Sequence, residues 1–255
     1  MHEFSSPRAR LAYIDEPPTA EDCGEPILLI HGFASNHAVN WVFPQWVKSL
    51  TVAGRRVIAF DNRGHGRSEK FYDPADYSLP KMAQDACDLL DHLEIGSTDV
   101  MGYSMGGRIA SFLALASGKR VRSLILGGIG VNLIERGSLP PHIAEAMEAP
   151  SLTELTDPLQ RMFRSFAETT KSDLKALAAC ARGAREPMRA TDVGQIAVPV
   201  LIAAGTKDEM ADHPHRLALS FRAARVVDIP GRDHNHAVGD KVYKKAVLEF
   251  LSMRP

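Results

Sequence analysis

The stretch Val100-Met101-Gly102-Tyr103-Ser104-Met105-Gly106-Gly107 decides the fold. An apolar run (Val100, Met101) enters it and a helix-like run (Arg108 to Ala116) leaves it. Between them lies G-x-S-x-G, written as Gly102, Ser104 and Gly106. A serine on a sharp strand-to-helix turn takes a strained backbone conformation. Residues two positions to either side must then lack side chains that would strike the strand or the helix. The turn lifts the serine Oγ above the sheet edge and aims the first N–H groups of the helix at whatever that oxygen attacks. By itself the pattern is weak, arising by chance in roughly one chain in ten of this length. Its place between a strand and a helix makes it far stronger.

Upstream of the turn, Leu11 to Ile14 reads as a short strand, followed by a proline-rich acidic turn from Glu16 to Glu25. Ile27-Leu28-Leu29-Ile30 is a continuous apolar run between Pro26 and His31-Gly32, the pattern of a strand buried on both faces. Trp41, Val42, Trp46, Val47 and Leu50 fit one face of a helix. Arg56 to Phe60 is the next strand, running into the glycine-punctuated loop Asp61 to Ser68. Met82, Ala86, Leu89, Leu90 and Leu93 mark a helix that Gly96 is expected to close, and Thr98 to Met101 is the strand feeding Ser104.

Downstream, Ile109, Leu113 and Ala116 share one side of a helix that Gly118 stops. Val121 to Leu126 is a strand ending in Gly127-Gly128. Strict alternation implies right-handed crossovers and a parallel sheet with helices on both faces, with ligands bound at the carboxyl ends of the strands. From 131 to 196 the rhythm breaks into helix-rich sequence. Pro140-Pro141 opens one helix, Asp157-Pro158 caps a second, and Ser172 is the expected cap of a third. Such an insertion at the carboxyl edge is placed to act as a lid. Alternation resumes with a strand from Val198 to Ala204, a helix from His213 to Phe221, a strand from Arg225 to Ile229, and a closing helix from Val242 to Leu251.

A serine hydroxyl is a weak nucleophile until a base takes its proton, and the base needs an orienting acid. Asp208 follows the strand after the insertion, and His234 follows the last strand. Both lie in loops at carboxyl ends, where they can converge with Ser104. Glu209 and Asp212 are rival acids and His236 is a rival base. His213, His215, His234, His236, Asp208, Asp212 and Asp233 are metal-ligand types in one region. Their spacing is loose and no His-Glu-x-x-His is present, so no metal is expected.

With these residues in view, the chain resembles the α/β-hydrolase family over nearly its whole length, in its serine-nucleophile branch of esterases, enol-lactonases and C–C hydrolases. His31-Gly32-Phe33 resembles the family's oxyanion loop, and Asp61-x-Arg63-Gly64-x-Gly66-x-Ser68 the loop after the following strand. Gly102-x-Ser104-x-Gly106 resembles the nucleophile elbow, and Gly205-x-x-Asp208 and Gly231-x-x-His234 the acid and base loops. Five motifs in order are much more specific than one. The resemblance implies an α/β fold with a mostly parallel central sheet and helices on both faces. It also implies a core of residues 1–130 and 197–255 and a helical lid of 131–196 inserted after the sixth strand. It implies Ser104, Asp208 and His234 as triad, with the backbone N–H groups of Phe33 and Met105 as oxyanion hole. The base is taken as His234 because its distance from Gly231 matches the family. Members with Asp at the elbow are dehalogenases or epoxide hydrolases, from which Ser104 sets this chain apart. His31, Asp61 and Arg63 are expected to brace loops near the elbow. Tyr103, Met162, Phe163 and Phe166 are the expected pocket, some of them shared with ordinary core.

The expected activity is hydrolysis of a small ester, thioester, lactone or amide through an acyl-enzyme. The alternatives are C–C bond cleavage or acyl transfer, to peroxide for example, by the same triad, and a non-catalytic small-molecule sensor. The bulk composition agrees. Among 255 residues, 45% are hydrophobic and 24% charged, ordinary for a globular protein. A net charge of −1 gives no argument for nucleic acid or an anionic membrane, so the expected partner is a small-molecule substrate. Three distant cysteines (Cys23, Cys87, Cys180) form no C-x-x-C pair, which fits a reduced, cytoplasmic setting better than a disulfide framework. The first residues show no basic-then-apolar signal, no apolar run approaches 18 residues, and no cofactor is expected.

Overall fold

The computed structural model describes residues 1–137 and 139–253. Their eight-stranded sheet has the order β1-β2-β4-β3-β5-β6-β7-β8. The strands are β1 His2–Ser5, β2 Arg10–Glu16, β3 Ile27–Ile30, β4 Val57–Phe60, β5 Thr98–Tyr103, β6 Val121–Gly127, β7 Val200–Gly205 and β8 Ala224–Ile229. β1 and β2 run antiparallel, and every pairing from β4 to β8 is parallel. The helices are α1 Trp46–Val52, α2 Leu79–His92, α3 Met105–Ala116, α4 Asn132–Glu135, α5 His142–Glu148, α6 Pro158–Thr169, α7 Leu174–Gly183, α8 Ala190–Val193, α9 Pro214–Ala218, α10 His234–Ala237 and α11 Lys241–Met253. Among the described residues no helix is long and apolar enough to cross a membrane.

The strands read as unbroken apolar runs because both of their faces are covered. Successive side chains alternate between faces. Leu28, Ile30, Ile58, Phe60, Val100, Leu124 and Leu126 enter one core with α2, α3 and the segment between β6 and β7. Ile27, Leu29, Val57, Ala59, Met101, Ile125 and Leu201 enter the other, against α1 and α11. The chain leaves β3 for β4 on one side and returns to β5 on the other. The sheet order therefore reverses at β3 and β5, and crevices form at the carboxyl ends of strands where this happens. His31 and Ser104 follow those two strands.

Several boundaries differ from the sequence reading. β1 is mostly exposed and carries no apolar signal; its ladder with β2 defines it, and with it Val121–Gly127 is the sixth strand. The helix expected through Trp41 and Leu50 is two elements, a π-helical turn Ala38–Val42 and α1. Pro44 and the left-handed Gln45 (φ 66°) break it. α2 is closed by Glu94 in the left-handed region (φ 55°), not by Gly96. Ile95 N–H donates to Leu90 O and Glu94 N–H to Asp91 O, and these bonds with buried Ile95 hold the unfavourable conformation. The cap of α7 is Asp173, which accepts from Ala176 N–H; Ser172 instead bonds Thr170 Oγ1. β7 starts after Pro199, which has no N–H to give the ladder. The helix expected from His213 to Phe221 is only the five residues Pro214–Ala218.

Candidate active site

Ser104 sits between β5 and α3 with φ 54° and ψ −118°, a strained conformation for a residue with a side chain. The flanking glycines have a steric cause. A Cβ on Gly102 would lie 2.2 Å from Gly106 O, and one on Gly106 would lie 2.0 Å from Ile30 O. No side chain fits at either place, so the turn needs glycine twice.

β7 ends at Gly205, and Asp208 follows in the next turn. The Asp208 carboxylate is held by N–H groups of Met210 and Ala211, each 3.0 Å from Oδ1. It accepts from His234 Nδ1 at 2.8 Å (Oδ2) and 3.0 Å (Oδ1). With the Nδ1 proton engaged by a carboxylate, Nε2 carries the ring's lone pair. His234 opens α10, whose cap Asp233 accepts from the N–H groups of Asn235 and His236. Tyr103 O–H donates to His234 O at 2.6 Å and fixes that residue's backbone. Ser104 Oγ has no hydrogen-bond partner among the described residues, and Ser104 and His234 face one cavity.

The loop after β3 is locked by side chains. His31 Nδ1–H donates to Gly32 O at 2.8 Å, and His31 Nε2 accepts from Asn62 N–H at 2.9 Å. Asn40 Oδ1 accepts from Gly32 N–H at 3.1 Å. Neither Phe33 N–H nor Met105 N–H donates to another described group, so both remain available to an incoming oxygen. For Met105 this follows from its position in the first turn of α3. Asp61 accepts from His37 N–H and Nδ1 and from Arg67 N–H. Burial alone would raise its pKa, but these bonds and the neighbouring histidines outweigh it and hold the carboxyl down to about 2. Burial pushes His31 down to about 4 and His65 down to about 3, so both are neutral braces. Arg63 is clamped by Asp85 through two 2.6 Å bonds.

The cavity over Ser104 measures about 400 Å³. The structure brings all four expected pocket residues, Tyr103, Met162, Phe163 and Phe166, to its wall. Phe163 also stacks edge-on against Phe33 with ring centroids 5.8 Å apart. Sequence reasoning missed Val39, Asn40 and Pro44 from the π-helical turn and its exit, and Val238 and Gly239 after α10. These come from irregular segments with no periodicity to mark them. His236, the rival base, reaches the same cavity but its Nδ1 is bound to Asp233 and its side chain is 71% exposed. The rival acid Asp212 is paired with Arg136. The candidate metal residues are distributed among separate partners, His215 with Asp228 and His236 with Asp233. Among the described residues no group of three or more His, Cys, Asp or Glu could hold a metal ion.

A model of the alpha/beta hydrolase fold matches residues 25–174. The chain is 29% identical to the "Putative carbamate hydrolase RutD" of Variovorax paradoxus (strain S110), across 90% of this chain and 92% of that relative. It is 41% identical to the 2-hydroxymuconate semialdehyde hydrolase of Pseudomonas sp. (strain CF600), over 43% of this chain and 38% of the relative. Its backbone superposes on the enol-lactonase from Burkholderia xenovorans LB400 with a TM-score of 0.83, covering 98% of this chain and all of that one at 21% identity.

Proposed function

The chain belongs to the alpha/beta hydrolase fold family, and from that footing we propose that it is a serine hydrolase cleaving a small ester, thioester, lactone or amide. One observation carries the reading: Ser104 on its strained turn faces the same cavity as a histidine oriented by a carboxylate. In this reading His234 Nε2 takes the proton of Ser104 as Oγ adds to the carbonyl carbon. The oxyanion is met by the N–H groups of Phe33 and Met105, donors fixed before the charge appears. Collapse of the adduct breaks the bond to the leaving group, which receives the proton from His234. Water then adds to the acyl-enzyme, giving one proton to His234 and returning the acid product and free Ser104. Asp208 keeps the imidazole in the Nδ1–H tautomer and stabilises the imidazolium that forms transiently. The helices of 131–196 serve as a lid, since α6 supplies Met162, Phe163 and Phe166 to the cavity wall.

The test is hydrolysis of a short chromogenic ester with and without a serine-directed phosphonate. Turnover that the reagent blocks by labelling Ser104 supports the reading; neither turnover nor labelling defeats it. A second reading, C–C bond cleavage by the same triad, is favoured by the likeness to the semialdehyde hydrolase over 43% of the chain. Labelling at Ser104 without ester turnover would select it.

A further inference from the structure

Four arginines among the described residues are buried: Arg55, Arg63, Arg108 and Arg164. Three have carboxylate partners, Asp99 for Arg55, Asp85 for Arg63 and Glu168 for Arg164. Arg108 pairs with none among the described residues, although only 2% of it is exposed. It donates to Asn132 O at 2.6 Å and, at 3.4–3.5 Å, to Arg136 O. These three contacts use at most three of the five N–H donors of a guanidinium. Burial pulls its pKa down to about 10, with nothing anionic among the described residues near enough to offset the shift. A buried charge is costly unless paired, and an apolar side chain of similar volume would pin the same helix more cheaply.

Arg108 lies one helical turn beyond Ser104 on α3. It lines a second, narrow cavity of about 20 Å³ that shares Phe33, Ser104 and His234 with the larger one. Among the described residues Arg108 is the one permanent charge on its wall; Ile129, Leu139 and Met210 are apolar neighbours. The space holds one or two water-sized groups. That suits a flat carboxylate, which can accept a charge-assisted hydrogen bond from one of the remaining donors, Nε–H or the second Nη1–H, better than a bulkier tetrahedral phosphate. Among the described residues, no Arg, Lys, Asp or Glu lines the larger cavity.

From this juxtaposition, and resting on the serine-hydrolase reading above, we infer that Arg108 is a carboxylate subsite. The substrate is then an ester with an apolar group on one side of the scissile bond and a short carboxylate-ended arm on the other.

The experiment compares benzyl hydrogen succinate with benzyl butyrate, in which a methyl group stands where the carboxylate would be. Wild-type kcat/KM is expected to favour the succinate ester by about 10- to 100-fold, the range of a charged hydrogen bond made or missing. Arg108→Met is expected to erase that preference, and Arg108→Lys to retain part of it. Calorimetric binding of both esters to Ser104→Ala protein is the second readout, independent of chemistry and of whether Arg108→Met folds. It is expected to give at least about tenfold tighter binding of the succinate ester. Turnover of both esters without preference, or a preference that survives Arg108→Met, overturns the subsite while leaving the hydrolase reading standing. Preferential binding to Ser104→Ala protein with no turnover by wild type does the reverse. Equal binding of the two esters also overturns the subsite.

Discussion

Three side chains and two backbone N–H groups carry the proposed chemistry, and each can be challenged singly. Ser104→Ala removes the one nucleophile and leaves the fold intact, so kcat should fall by up to about 10⁶-fold. A clean preparation retaining more than a few per cent of activity would end the assignment. His234→Ala should be far more damaging than His236→Ala, because only the former ring is held by Asp208 beside Ser104. Equal losses in kcat/KM would mean the wrong base was chosen. The elbow glycines give a stability prediction of a different kind. Gly106→Ala drives a methyl group into Ile30 O, backbone that has no freedom to yield. Its urea midpoint should fall well below that of Gly96→Ala, where nothing lies within 4 Å of the added carbon. Similar midpoints would show that the turn relaxes.

The decisive element is α6, and it separates two aromatics that the sequence treats alike. Both Phe163 and Phe166 face the cavity, but Phe163 is 7% exposed and stacked on Phe33, whereas Phe166 is only partly buried. Phe163→Ala should therefore cost folding stability in the range of a core deletion, about 3–5 kcal/mol, and also disturb catalysis through Phe33. Phe166→Ala should leave the urea midpoint nearly unchanged and shift the ranking of ester chain lengths by roughly 1–3 kcal/mol for each methylene-sized difference. Measuring kcat/KM for a short and a long ester beside the midpoint separates the two roles. An unchanged ranking with a large drop in midpoint for Phe166→Ala would make it core and remove α6 from the pocket.

For the molecule as a whole, the buried neutral histidines tie stability to pH. In the unfolded chain an imidazole takes a proton near 6.5, but in the fold His31 does so only near 4 and His65 near 3. Between those values the unfolded state binds more protons, so stability rises with pH and is lost on acidification through that window. Asp61 adds a loss in the same direction at lower pH, between its ordinary 3.8 and about 2. The unfolding free energy should thus fall by on the order of several kcal/mol from pH 7 to pH 4, and the urea midpoint with it. His65→Asn can still donate to Arg63 O and should flatten the fall, while a midpoint equal at pH 7 and pH 4.5 would refute the linkage.

Local rules were enough for the sequence to determine the parallel sheet, the five ordered motifs and the candidates Ser104, Asp208 and His234. Burial on both faces writes β3 and β4 as unbroken apolar runs, and the crowded turn at Ser104 admits only glycine at 102 and 106. The weakest readings were those settled by hydrogen bonding and strand pairing, which leave no apolar pattern in the sequence. β1 exists through its ladder with β2, α2 closes on Glu94 because Leu90 O, Asp91 O and buried Ile95 reward that conformation, and Asp173 displaces Ser172 as a cap. The cavity wall was legible at Met162, Phe163 and Phe166, where helical spacing marks a face, and illegible at Val39, Pro44, Val238 and Gly239, which the sheet alone brings together. Arg108 shows the division most sharply. In sequence it is one arginine in a helix; only the tertiary structure leaves it buried beside Ser104 with no carboxylate among the described residues to answer its charge, because pairing and burial belong to the whole chain.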